Sequence, residues 1–159
     1  MKQTDNFKFD EANVMNELVY RNLSEDAKRQ ICAWKYGGEY DLYNLPSYEE
    51  MQVRQIGFMN PQREKNYYGF WDESILVGFV NILEEKEEVF IGIGVNPDLC
   101  NKHYGQRMLL ITYEISKKLY PDKPLYLEVR TWNIRAVKCY QKAGFRIDGQ
   151  AYELTTGIG

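Results

Sequence analysis

Leu125-Tyr126-Leu127-Glu128-Val129-Arg130-Thr131-Trp132-Asn133-Ile134-Arg135-Ala136-Val137-Lys138-Cys139-Tyr140-Gln141-Lys142-Ala143-Gly144-Phe145 changes its periodicity twice. Leu125 to Arg130 alternates as a strand does. Asn133 to Ala143 places Ala136, Val137 and Tyr140 on neighbouring helical turns. Gly144 follows as a C′ residue, and Phe145 starts another strand. Upstream, Tyr104 to Leu119 carries Met108, Ile111, Ile115 and Leu119 at helical spacing. Before it, Asn96-Pro97 breaks a strand over Val89 to Val95. The order is β-α-β-α-β, and a helix crossing between two strands implies that they run parallel.

Further toward the N-terminus the links shorten. Tyr67 to Trp71, the turn Asp72-Glu73-Ser74, Ile75 to Leu83 and the run Glu84-Glu85-Lys86-Glu87-Glu88 lead into Val89. Three consecutive strands so joined predict an antiparallel meander, with the charge run as a solvated turn. Leu18 to Arg21 reads as a short strand. Ser24 stands where an N-cap should, with Glu25 and Asp26 in the first turn and Ala27, Ile31 and Trp34 on one face. Gly37-Gly38 is expected to end that helix. An aromatic loop over 34–46 follows, and Ser47 caps a second helix through about Phe58. Residues 1–17 are polar and read as an extension before a single domain over 18–159. The fold class is α/β, or α+β, with a mixed sheet.

At 159 residues the chain is the size of one domain, and its 44% hydrophobic content excludes wholesale disorder. Twenty basic residues against 23 acidic ones leave a net charge of −3, which argues against a general electrostatic grip on nucleic acid. Cys32, Cys100 and Cys139 are odd in number and have no metal-like spacing, and His103 is the sole histidine. Neither a metal site nor a disulfide framework is expected, and a reducing, cytoplasmic compartment fits best. The first residues carry no apolar signal core, and no run approaches the roughly 20 apolar residues of a membrane span.

The loop from Val95 to the helix start near Tyr104 exposes backbone N–H groups that, with the helix dipole, suit a phosphate. Gly105 would allow close approach, and Lys102 and Arg107 add positive charge. A glycine at a helix start also serves packing alone. Glu128 lies on the strand face opposite Leu127 and Val129. Asn133 stands at the strand end, where it can also cap the helix, and Tyr140 follows seven residues later. A carboxylate and a phenol at one cleft suit proton removal from an amine and proton delivery to a leaving group. The plainer alternative is a surface Glu, a capping Asn and a core Tyr.

Taken together, these stretches resemble the GNAT superfamily of acyl-CoA-dependent N-acetyltransferases over about residues 18–156. Asn133, Ala136, Tyr140 and Gly144-Phe145 look like its N-x-x-A-x-x-x-Y-x-x-x-G-F signature. The element order is similar too. The cofactor loop, R/Q-x-x-G-x-G/A in the family, matches at Gly105 only. Cys100 replaces the Arg or Gln, and His103 replaces the first glycine, where a compatible backbone angle is needed.

The resemblance implies a mixed, mostly antiparallel sheet flanked by helices, with Val89–Val95 and Leu125–Arg130 splayed apart around the pantetheine arm. Ile93 and Val95 would pair with pantetheine amides, and one of their N–H groups would stabilise the oxyanion. Asn101, Lys102, His103, Tyr104, Gly105 and Gln106 would hold the pyrophosphate, and Asn133 would bond near the pantetheine. Tyr140 would protonate the departing thiolate, and Glu128 would accept the amine proton. The implied activity is transfer of acetyl from acetyl-CoA to a primary amine of a small molecule or peptide, with no metal and no covalent intermediate. Trp34, Tyr36, Tyr40 and Tyr43 are candidates to line the acceptor site, with Glu39 and Asp41 to attract a cation; these rings equally suit core packing. Members usually finish with one more strand after that at Phe145. Its lack here points to a shortened domain, a truncated sequence, or an edge supplied by a second subunit in a homodimer. The altered loop and short end motivate an alternative, a non-catalytic acyl-CoA-binding module. A protein-interaction domain is a third reading.

Overall fold

The computed structural model describes residues 1–3, 18–100 and 102–147. The chain forms two compact units, one of residues 16–81 and 93–104, the other of residues 1–15, 82–92 and 105–159. Strands β4 (Ile75–Glu84) and β5 (Val89–Val95) contribute to both.

In the first unit the strand order is β2 (Val19–Asn22), β3 (Tyr67–Asp72), β4, β5. β2–β3 and β3–β4 are antiparallel, as the meander predicts, with an irregularity between Phe70 and Trp71. Helix α1 (Glu25–Ala33) starts where expected: the Ser24 side chain accepts from Ala27 N at 3.1 Å, and Glu25 and Asp26 occupy the first turn. It ends before Gly37-Gly38, because Trp34 is already extended and its N–H closes on Ile31 O at 3.1 Å. Helix α2 (Tyr48–Arg54), capped by Ser47, stops short of Phe58. Gln55 turns left-handed at φ 52°, and Gly57 at φ 58° opens a 3₁₀ turn over Gly57–Met59. The core gathers Leu23, Ala27, Ile31, Met51, Phe58, Tyr67, Trp71 and Leu76, with Trp34 and Phe79 packed against it. Lys28 is buried there. Burial alone would lower its ammonium, but hydrogen bonds to Glu64 (2.8 Å) and Glu25 (3.1 Å) outweigh that and raise it.

In the second unit the order is β4, β5, β6 (Leu125–Tyr126), β1 (Lys2–Gln3), β7 (Phe145–Arg146). β5–β6 is parallel, joining Val89 with Leu125 and Phe90 with Tyr126, as a crossover through α3 (Tyr104–Leu119) requires. Two expectations change here. The strand expected over Leu125–Arg130 is laddered only at Leu125 and Tyr126; Leu127 bonds to Met1, and Asn133 N closes a turn on Arg130 O at 3.0 Å. Lys2–Gln3, within the residues read as an extension, form a sheet strand. Lys2 pairs with Tyr126 and Arg146, and Gln3 with Phe145. Residues 4–17 and 148–159, and with them the rest of the extension and the expected shortened end, lie outside the described residues. Helix α4 (Ile134–Lys142) follows Asn133 and closes at Gly144, whose φ is 93°. The side chains of Ile82, Ile91, Met108, Leu109, Leu125 and Leu127 are buried. The Glu84–Glu88 turn is pinned as well as solvated: Lys123 Nζ reaches Glu84 at 2.8 Å, and the Tyr126 hydroxyl donates to Glu85 at 2.6 Å.

Candidate active site

In β5, backbone direction alternates. Asn96 N donates to Val77 O on β4 at 2.8 Å, while Val89 N donates to Pro124 O at 2.9 Å. Read from either end, the alternation turns the N–H and C=O of Ile93 and Val95 away from β4. Gly94 between them is required by packing, since a Cβ there would lie 2.4 Å from the Phe79 ring. The Val95 carbonyl accepts from the Tyr36 hydroxyl at 2.5 Å.

Beyond β5, Asn96 ties down the loop. Its Nδ2 donates to Leu76 O at 3.1 Å, and its Oδ1 accepts from Asp98 N at 3.0 Å at the start of the 3₁₀ turn Pro97–Leu99. Cys100 Sγ donates back to Asn96 O at 3.7 Å. Asn101 lies outside the described residues. Lys102 and His103 are exposed, and His103 has φ 64°, the left-handed conformation that a glycine adopts without cost. The residue at the family's glycine position thus adopts an angle that glycine takes readily and other residues rarely do. Tyr104 opens α3 and donates its hydroxyl to Asp72 Oδ2 at 2.6 Å. Gly105 and Gln106 stand in the first turn of α3, where helical N–H groups have no partner inside the helix. In the second unit, Gln106 Nε2 meets Lys142 O at 3.5 Å.

The second unit holds the other predicted residues. Glu128 is exposed, beside buried Leu127. Asn133, only 7% exposed, caps α4 by accepting from Ala136 N at 3.2 Å. Its capping role is therefore realised. Tyr140 lies half-buried on α4. Burial pushes the neighbouring Cys139 thiol up, away from the thiolate that a nucleophile would need.

The aromatic loop divides. Trp34 packs against Phe79 with centroids 6.2 Å apart and belongs to the core margin. Tyr36, Tyr40 and Tyr43 are half-buried on and beside the 3₁₀ turn Gly38–Tyr43. Tyr36 and Tyr43 meet edge to face at 6.4 Å. Asn44 brackets the Tyr36 backbone: its Oδ1 accepts from Tyr36 N at 2.6 Å and its Nδ2 donates to Tyr36 O at 3.3 Å. Sequence reasoning missed Asn44 and Asp72. An Asn eight residues after Tyr36 in a Gly/Pro loop carried the only signal, the habit of Asn to bond backbone in turns. Among the described residues, no group of three or more His, Cys, Asp or Glu gathers, and no helix is long and apolar enough to cross a membrane.

Residues 29–145 match the acetyltransferase (GNAT) family, and the chain belongs to that family. Three solved structures with the same fold illustrate the likeness. A chimera of the Vibrio cholerae spermidine N-acetyltransferase SpeG and hSSAT has a TM-score of 0.70 at 20% identity, covering 84% of this chain and 82% of that one. The V. cholerae spermidine N-acetyltransferase in complex with CoA and spermine has a TM-score of 0.66 at 19% identity, covering 84% and 83%. A GNAT-family acetyltransferase from Streptococcus pneumoniae has a TM-score of 0.63 at 22% identity, covering 89% and 94%. No curated protein sequence matches significantly.

Proposed function

We propose that this acetyltransferase moves the acetyl group of acetyl-CoA to a primary amine by direct attack. The observation that carries the reading is the backbone of β5. Ile93 and Val95 turn their peptide groups off β4, free of that ladder, as pairing with pantetheine amides requires. The loop supports the same reading, since His103 holds a left-handed angle that glycine takes without strain, and α3 opens next to Lys102, where first-turn N–H groups have no carbonyl four residues back within the helix. Lys102, His103, Tyr104, Gly105 and Gln106, with Asn101, are the proposed pyrophosphate cradle. Asn133 would bond the pantetheine through whatever hydrogen-bonding capacity its cap leaves.

In the reaction, the neutral amine nitrogen bonds to the thioester carbonyl carbon and the C–S bond breaks. Glu128, being exposed, accepts the amine proton directly or through water, and Tyr140 delivers a proton to the thiolate. A β5 N–H group stabilises the oxyanion. Tyr36, Tyr40 and Tyr43, with exposed Glu39 and Asp41 on the same loop, suit a cationic acceptor. Trp34 contributes from the core side. Two of the structural relatives carry spermidine or spermine in their descriptions, so polyamines head the amine screen.

Calorimetric titration with acetyl-CoA and with CoA tests the reading. Micromolar binding of both, followed by acetylation of an amine, is the expected result. Binding without turnover of any amine would favour an acyl-CoA-binding module. Absence of binding would sink both.

A further inference from the structure

We propose that Tyr36 is a positioning residue for acetyl transfer, acting through the Val95 carbonyl rather than by touching the reacting atoms. The inference rests on the proposed use of the β5 backbone to hold acetyl-CoA. The Val95–Asn96 peptide is held at both ends: its N–H donates to Val77 O at 2.8 Å and its C=O accepts from the Tyr36 hydroxyl at 2.5 Å. A peptide plane so fixed leaves the Val95 N–H, one residue back and turned off β4, with little freedom of direction. That N–H is one of the two groups proposed to meet the thioester. Preorganised donors stabilise developing charge only when their direction is set in advance.

The Tyr36 side is equally determined. Asn44 brackets its backbone N–H and C=O, and the Tyr43 ring meets the phenol edge to face. The hydroxyl therefore reaches Val95, 59 residues away, from a fixed base. This phenol proton joins the aromatic loop to the end of β5. The ring, not the hydroxyl proton, is what Tyr36 has to offer an acceptor amine, which refines its place among the aromatic residues of the loop.

The test compares wild type, Tyr36→Phe, Asn44→Ala and the double variant. Steady-state kinetics with the best amine of the screen, acetyl-CoA titration and a thermal midpoint are read together. Tyr36→Phe is expected to lower kcat about three- to tenfold, the worth of one hydrogen bond, with acetyl-CoA affinity and midpoint unchanged. Asn44→Ala should lower kcat likewise, and the double variant should fall no further than the larger single effect. An unchanged kcat, or a change confined to the KM of the amine, overturns the proposal. So does a kcat loss that tracks a fall in midpoint and in acetyl-CoA affinity. If wild type binds acetyl-CoA but turns over no amine, the Val95 amide resonance on CoA addition becomes the readout. A shift displaced in Tyr36→Phe supports the proposal, and identical shifts overturn it. Failure of wild type to bind acetyl-CoA overturns the underlying reading before any variant is compared.

Discussion

Two stretches carry the family pattern, and they embody it differently. In 133–145 every patterned residue stands at its position, and local structure accounts for most of them. Asn133 caps α4, Ala136 supplies the N–H it accepts, Gly144 adopts φ 93°, and Phe145 is buried in β7. In 100–105 only Gly105 conforms, yet His103 still takes a glycine's backbone angle at φ 64°. The second stretch thus places a non-glycine residue in a conformation that favours glycine. A non-glycine residue there costs about 1 kcal/mol. Anchors on either side, Asn96 on Leu76 and Tyr104 on Asp72, hold the loop in place.

This contrast can be broken at three points. The largest effect is expected at Tyr140, the residue of the conforming stretch proposed to protonate the departing thiolate. Tyr140→Phe should reduce turnover about 10²-fold while acetyl-CoA affinity, read by calorimetry, stays put. Unchanged turnover would remove Tyr140 from the acid role and leave 133–145 a purely structural motif. Next comes Asn133→Ala, which removes the α4 cap and should cost about 1 kcal/mol in chemical denaturation. A loss of cofactor affinity without loss of stability would place its importance in binding instead. The smallest effect is expected at His103. His103→Gly should stabilise the fold by about 0.5 kcal/mol, the relieved backbone strain less the added entropy of the unfolded chain. Destabilisation would mean that the imidazole contributes contacts outweighing its strained backbone.

Much of the fold was legible because strong local signals mark it. β5 and α3 begin and end where the sequence places them, since Asn96-Pro97 halts the strand and apolar spacing runs unbroken from Tyr104 to Leu119. Ser24 and Ser47 cap as expected. Helix ends were less legible. Gly37-Gly38 and Phe58 looked like stops, but extended Trp34 and left-handed Gln55 end the helices earlier. The Lys2–Gln3 strand had no local signal, because two residues cannot display a period and their partners lie far along the chain. In the candidate site, residue types were readable and their partners were not. Tyr36 suggested a pocket ring, but nothing in its neighbourhood announced Val95, and only the habit of Asn to bond backbone in turns hinted at the bracket from Asn44.

The strand at Lys2–Gln3 also orders events in time. Met1 and Leu127 exchange backbone bonds across 126 positions, and Gln3 waits for Phe145. During translation the β2–β3–β4 meander can close long before those partners exist. Lys2 and Gln3, made well before their partners, are thus among the last residues to be paired. Contacts of such separation close slowly, against the entropy of the whole intervening loop. Until they close, β6 and β7 have no strand between them, and a nascent chain is exposed there to pairing with another chain.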